Sequence, residues 1–110
     1  MIIVLNGKDL EYAKDDSFEL PIEESYDGEF ADGSSLQFVV AKNPDAEPVI
    51  NETYSLRSDR TFLIQLNANN KKALAISENP YIYRITLIHP NGNRDTYKCG
   101  DLAVKWGVNV

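Results

Sequence analysis

His89 is the only histidine in the chain and Cys99 its only cysteine, so acid–base or thiol chemistry would have to be built around one of these two side chains. A hydrolytic triad needs a base beside a nucleophile and a third group that orients the base. His89 stands immediately before Pro90-Asn91-Gly92. Nothing near it in sequence is arranged to orient its ring, and it reads as a solvated turn residue. Cys99 would become nucleophilic if a cation lowered its thiol pKa, and Lys98 adjoins it. Adjacent strand residues point to opposite faces, however, so Cys99 reads as a small buried residue. A lone cysteine cannot close an internal disulfide, which suits synthesis in a reducing cytoplasm.

Carboxylates are the remaining reactive groups. The acidic stretch Glu23 to Asp32 holds Glu23, Glu24, Asp27, Glu29 and Asp32, and it could hold Ca²⁺ if those oxygens converge. The spacing does not fit an EF-hand. Counting from Asp27, the fifth position is Ala31 and the sixth Asp32, where that loop needs an oxygen ligand and then glycine. A solvated loop is the expectation, with Ca²⁺ binding as the alternative. Glycosidase chemistry needs two carboxylates at a set separation, which a sequence does not measure. The sequence contains no phosphate-cradling glycine motif, zinc-ligand spacing or nucleophile elbow. The chain is therefore expected to be no enzyme, and no catalytic, cofactor-binding or metal-ligating residue is assigned.

The elements that carry these residues read as strands. Apolar residues alternate at period two, the mark of one buried and one wet face: Phe18, Leu20 and Ile22; Leu36, Phe38 and Val40; Ile50, Tyr54 and Leu56; Phe62, Ile64 and Leu66. The longest run is Tyr81, Tyr83, Ile85 and Leu87, and Leu102, Val104 and Trp106 close the series. Glu52 interrupts the inward register of its run. Asn6-Gly7, Asp27-Gly28, Asp32-Gly33 and Asn91-Gly92 supply residues that tolerate positive φ. His89-Pro90-Asn91-Gly92-Asn93 predicts a hairpin between Tyr81 to Ile88 and Asp95 to Cys99. Between Asn67 and Ser77, Lys71-Lys72-Ala73-Leu74-Ala75 supplies helix formers behind asparagines that can cap, which predicts one short helix or turn. Asn79-Pro80-Tyr81-x-Tyr83 resembles a tyrosine corner, in which a buried ring bonds nearby backbone through its hydroxyl; two ordinary core tyrosines are the alternative.

The 110 residues suffice for a single core without metals or disulfides. Hydrophobic residues at 43% and charged residues at 25% exclude disorder, collagen and coiled coil. A net charge of -6 disfavours a nucleic-acid partner. Met1 to Leu5 is apolar but meets Asn6-Gly7 at once, so no signal peptide is expected, and no apolar run approaches the roughly 20 residues that span a bilayer. The prediction is one all-β domain over residues 1–110, an antiparallel Ig-like β-sandwich of about seven or eight strands with one short helix or turn.

Two surface features point toward association. Ile82 and Ile88 flank Arg84 and Thr86 on the face opposite Tyr81, Tyr83, Ile85 and Leu87, and Met1 to Leu5 is apolar on both faces, so either a loop or another chain covers them. Charge is also divided: residues 1–47 hold 12 acidic groups against 3 basic, and residues 48–110 hold 5 against 8. If that division survives as two poles, head-to-tail packing between copies becomes favourable.

Pro80, Tyr81, Tyr83, Ile85, Leu87, Pro90, Asn91, Gly92, Thr96, Gly100, Leu102 and Val104 follow an order that resembles the small Ig-like sandwich domains of tailed-bacteriophage upper baseplate and tail-fibre proteins. The match covers about the last third of the chain, while Asp16 to Val40 agrees only in a strand, an Asp-Gly loop and a strand. Members of that family often continue into a long fibre, whereas this chain stops at Val110, and its acidic Glu23 to Asp32 insertion is longer than the pattern implies. The resemblance implies a virion protein, made in the bacterial cytoplasm, that contacts other virion subunits or forms a homo-oligomer and uses no cofactor, nucleic acid or membrane. A small host-directed binding or inhibitory protein with an acidic decoy surface is the alternative, and a carboxylate hydrolase comes third.

Overall fold

The computed structural model describes residues 2–5, 7–14, 16–23, 30–76 and 79–106. Among them are eight strands and one short helix, arranged in two sheets. The larger sheet runs in the order β1 (Ile2–Leu5), β2 (Asp9–Ala13), β8 (Arg94–Lys105), β7 (Tyr81–Ile88), β4 (Ser35–Ala41), β5 (Ile50–Ser55). The smaller pairs β3 (Glu19–Ile22) with β6 (Phe62–Gln65). The described residues are all-β apart from α1 (Ala68–Lys72).

Alternation decides what each strand buries. Leu36, Phe38 and Val40 of β4, Tyr81, Tyr83 and Ile85 of β7, and Leu102 and Val104 of β8 share one core with Ile22, Phe62 and Ile64 of the smaller sheet. Phe18 stacks between Tyr12 and Phe38, with ring centroids 5.0 and 5.7 Å away. Trp106 departs from the expected series: β8 ends at Lys105, where its pairing with β2 also ends, and Trp106 is 76% exposed.

Not every neighbour is antiparallel, which corrects the expected topology. β2 runs parallel to β8, with Leu10 opposite Leu102 and Tyr12 opposite Val104. Alternation reports which face a residue occupies and not the direction of the strand beside it. That direction follows from connectivity: nearly the whole chain separates β2 from β8 and supplies the long crossover that parallel pairing needs.

The predicted hairpin forms between β7 and β8. His89 N donates to Asn93 O at 2.8 Å, Gly92 N donates to His89 O at 2.9 Å, and Gly92 adopts φ 89°. The predicted helix is shorter than the stretch that suggested it. Asn67 caps it by accepting from Asn70 N at 2.8 Å, and it ends where Leu74 turns fully into the core. Glu52 faces inward on the edge strand β5, where Asn70 Nδ2 donates to its Oε1 at 3.1 Å.

Tyr54 lies beside Glu52 on the same inward side and donates to Gln65 O at 3.0 Å. Burial, reinforced by the Glu52 carboxylate, pushes its phenol from 10.0 up to about 12. An unfolded tyrosine ionises near 10, so the stability this phenol contributes is present below that pH and lost as pH climbs through about 12. The urea midpoint should fall across that alkaline window, and Tyr54→Phe should flatten the fall. An equally steep curve in the variant would contradict the assignment.

Candidate functional site

The side of the larger sheet turned away from the core carries the residues singled out as outward-facing. Ile82 stands beside Ala41 and Asp101, Arg84 beside Val39 and Cys99, and Thr86 beside Gln37 and Thr96. A β-bulge brings the two halves of β8 onto this face. Ile85 opposes Lys98 while Thr86 opposes Thr96, leaving Tyr97 as the extra residue. Without it, Cys99 and Asp101 would share a face only with other odd-numbered positions. With it, Arg94 and Thr96 join them.

Tyr97 turns its ring toward Phe30, 6.4 Å between centroids, and packs against the core. Beyond the bulge, Arg94 Nη1 donates to Gln37 Oε1 at 2.8 Å, and Gln37 Nε2 donates to Asn51 Oδ1 at 2.8 Å. This chain spans β8, β4 and β5. It crosses above Thr86, whose register lies between Gln37 and Thr96, and leaves that outward residue only 9% exposed.

The β4–β5 loop raises one wall over this floor. Asn43 builds it: its Oδ1 accepts from Asp45 N at 3.0 Å and its carbonyl accepts from Ala46 N at 3.2 Å, while Val49 N closes the base on Val40 O at 2.7 Å. Asn43, Pro44, Ala46 and Pro48 line the resulting open groove of about 640 Å³. Its floor is mixed, with Val39 and Ile82 half-buried and Arg84, Thr96 and Cys99 exposed. Alternation along the chain places Ile82, Arg84 and Thr86 on this face but does not announce the wall, although Asn43-Pro44-Asp45 is a turn signal. Arg94 was missed because only the bulge puts it here.

Cys99 is exposed, not buried as expected. Alternation correctly separates it from Lys98, which opposes the buried Ile85, but the side of the sheet it falls on follows from Leu102 facing the core. His89 is more than a solvated turn residue: its Nε2 lies 2.7 Å from Asp95 Oδ2 across the hairpin. Cys99 and His89 do not come together, since Cys99 pairs across to Arg84 and His89 lies beyond the end of β7. Of the acidic stretch, residues 24–29 lie outside the described residues, and with them Glu24, Asp27 and Glu29 of the Ca²⁺ reading. Asp32 accepts from Arg60 Nη1 at 2.9 Å, and Arg60 Nη2 also donates to Phe30 O at 3.1 Å. Among the described residues no group of three or more His, Cys, Asp or Glu could hold a metal ion, and no helix is long and apolar enough to cross a membrane.

The two tyrosines of β7 both reach backbone. Tyr81 Oη accepts from Ala75 N at 2.9 Å and donates to Ala73 O at 3.5 Å. Tyr83 Oη donates to Lys8 O, in the turn between β1 and β2. Gly100, opposite Tyr83, has no side chain to displace that turn: a Cβ there would stand 2.8 Å from Asp9 Oδ1 and 3.2 Å from Lys8 O.

The groove offers a guanidinium, hydroxyls and apolar carbons on a rigid sheet, which is the chemistry of holding another surface in register. Neither a protein-family model nor a curated protein matches this chain.

Proposed function

We propose that the chain is a structural module of a tailed bacteriophage or prophage, an Ig-like β-sandwich that acts by contact with other virion subunits. One observation carries the reading: half-buried Val39 and Ile82 sit beside exposed Arg84 on a walled, rigid sheet face. Apolar side chains next to arginine are the composition of an interface centre. The Tyr81 hydroxyl, bonded to the backbone of residues 73 and 75, supports the Ig-like assignment, because a tyrosine corner bonds backbone a few residues upstream in this way. The order of Tyr81, Tyr83, Pro90, Asn91 and Gly92 along β7 and its hairpin supports the resemblance to baseplate and tail-fibre domains.

Phage particles purified after induction of the source strain and washed in high salt test this directly. Mass spectrometry should find the chain in the particles at a fixed ratio to the tail proteins, and its absence from washed particles would count against the reading. Ile82→Ser combined with Ile88→Ser should lower the sedimentation coefficient toward that of a monomer while leaving the circular dichroism spectrum unchanged. An unaltered coefficient would mean that subunits do not pack through this face.

A further inference from the structure

We propose that the occupant of the Arg84 groove is a second copy of this chain, which presents the acidic outer face of its two-stranded sheet. The inference rests on the assembly reading above and names the partner surface.

Both sheets turn their apolar sides into one core, so their other sides point away from each other. On the larger sheet, Arg84 is exposed and, among the described residues, has no hydrogen-bond or ion-pair partner. Arg94 lies on the same side, with its guanidinium held in place by Gln37. On the smaller sheet, Leu20 and Ile22 pair with Ile64 and Phe62 facing inward, which leaves Glu19, Pro21, Leu63 and Gln65 facing outward, with the exposed Glu23 just beyond. The ionisable groups at those outward positions are carboxylates; Gln65 Nε2 donates to Glu19 Oε1 at 3.2 Å, and Lys98 lines the recess that Pro21 and Glu23 border.

The two surfaces therefore complement each other in kind. Apolar Pro21 and Leu63 meet Val39 and Ile82, and Glu19 and Glu23 meet Arg84 and Arg94. Asp101 fixes the direction of approach. It occupies the end of the groove toward β2, where Asp9 holds its backbone N–H at 3.0 Å, so incoming carboxylates are driven toward Arg84. Exposed charge pairs add little affinity one by one but set register and exclude like-charged faces. Because the two contacting patches differ, the contact is heterologous and propagates head to tail into a ring or a filament.

Sedimentation velocity on the full chain over a concentration series tests this. Arg84→Glu should weaken self-association by about tenfold or more, equivalent to roughly 1.4 kcal/mol. Glu19→Lys with Glu23→Lys should do the same, and combining them with Arg84→Glu and Arg94→Glu in one chain should restore association by reversing both faces. Cys99, on the groove floor and the only thiol, gives a second readout: maleimide labelling of the native chain should slow as concentration rises, and Arg84→Glu should abolish the slowing. A native chain that is monomeric at every concentration, or an Arg84→Glu chain that associates as tightly as the native one, overturns the proposal. A monomer found in washed particles defeats this contact and leaves the virion reading standing. A head-to-tail oligomer absent from particles does the reverse.

Discussion

Phe38→Ala is expected to lower the free energy of unfolding by about 3–5 kcal/mol, the largest effect of any single truncation considered for this chain. Phe38 is fully buried at the middle of β4, with β5 on one side and β7 on the other. Its ring lies 5.7 Å from Phe18 and 6.2 Å from Tyr83, centroid to centroid, so it joins the segment leading into β3 to the centre of the larger sheet. Truncation forfeits the transfer of a whole ring from water, and hydrogen-bonded strands on both sides of β4 cannot collapse into the space left behind. Urea denaturation should show a lower midpoint with an unchanged slope, which indicates lost stability without a change in the surface exposed on unfolding. Phe38→Leu, which keeps most of the volume, should cost markedly less. A loss below about 1 kcal/mol in the alanine variant would show that the site relaxes and that the core is not anchored there.

Lys14→Met is expected to cost about 1.5–3 kcal/mol, because it removes a charged donor from two backbone acceptors while keeping a similar apolar stem. Lys14 follows β2, and its backbone N–H donates to Lys105 O at 2.8 Å. Its ammonium reaches across the fold to Lys71 O at 2.9 Å and Leu74 O at 2.5 Å, carbonyls at the C-terminal end of α1. Lys71 O also accepts from Leu74 N at 3.1 Å, so the lysine shares that acceptor with the closing turn, and a cation there also opposes the negative end of the helix dipole. α1 is only five residues long and would not persist alone, so the lysine, the Asn67 cap and the buried Leu74 hold it jointly. Equilibrium unfolding would give the size of the loss, and hydrogen exchange should show faster exchange at Lys71, Ala73 and Leu74 than in the native chain. Unchanged protection at those amides would mean that Leu74 alone fixes the segment.

Most of the secondary structure was legible because alternation is a local property. Leu36, Phe38 and Val40, or Tyr81, Tyr83 and Ile85, each announce a buried face within a few residues, and those residues are buried. The Pro90-Asn91-Gly92 turn was legible for the same reason, since its dihedral demands are met inside five residues. Glu52 looked like a fault in its strand because its partner, Asn70, lies in a different element. Lys14 gave no signal at all: its acceptors are 57 and 60 residues away.

Composition and periodicity by themselves determined that this chain is built from strands around a single apolar core, and they put Ile82, Arg84 and Thr86 on the side of β7 turned away from it. They did not determine the company those residues keep. The parallel placement of β2 against β8, the loop wall from Asn43 to Pro48, and the presence of Arg94 on the face that carries Arg84 were decided only in three dimensions. The last has the clearest physical cause. Side-chain direction in a strand is set by parity, and the one extra residue at Tyr97 reverses parity for everything before it on β8. A pattern counted along the chain cannot contain that reversal, because it arises where two strands of unequal residue count are hydrogen-bonded side by side.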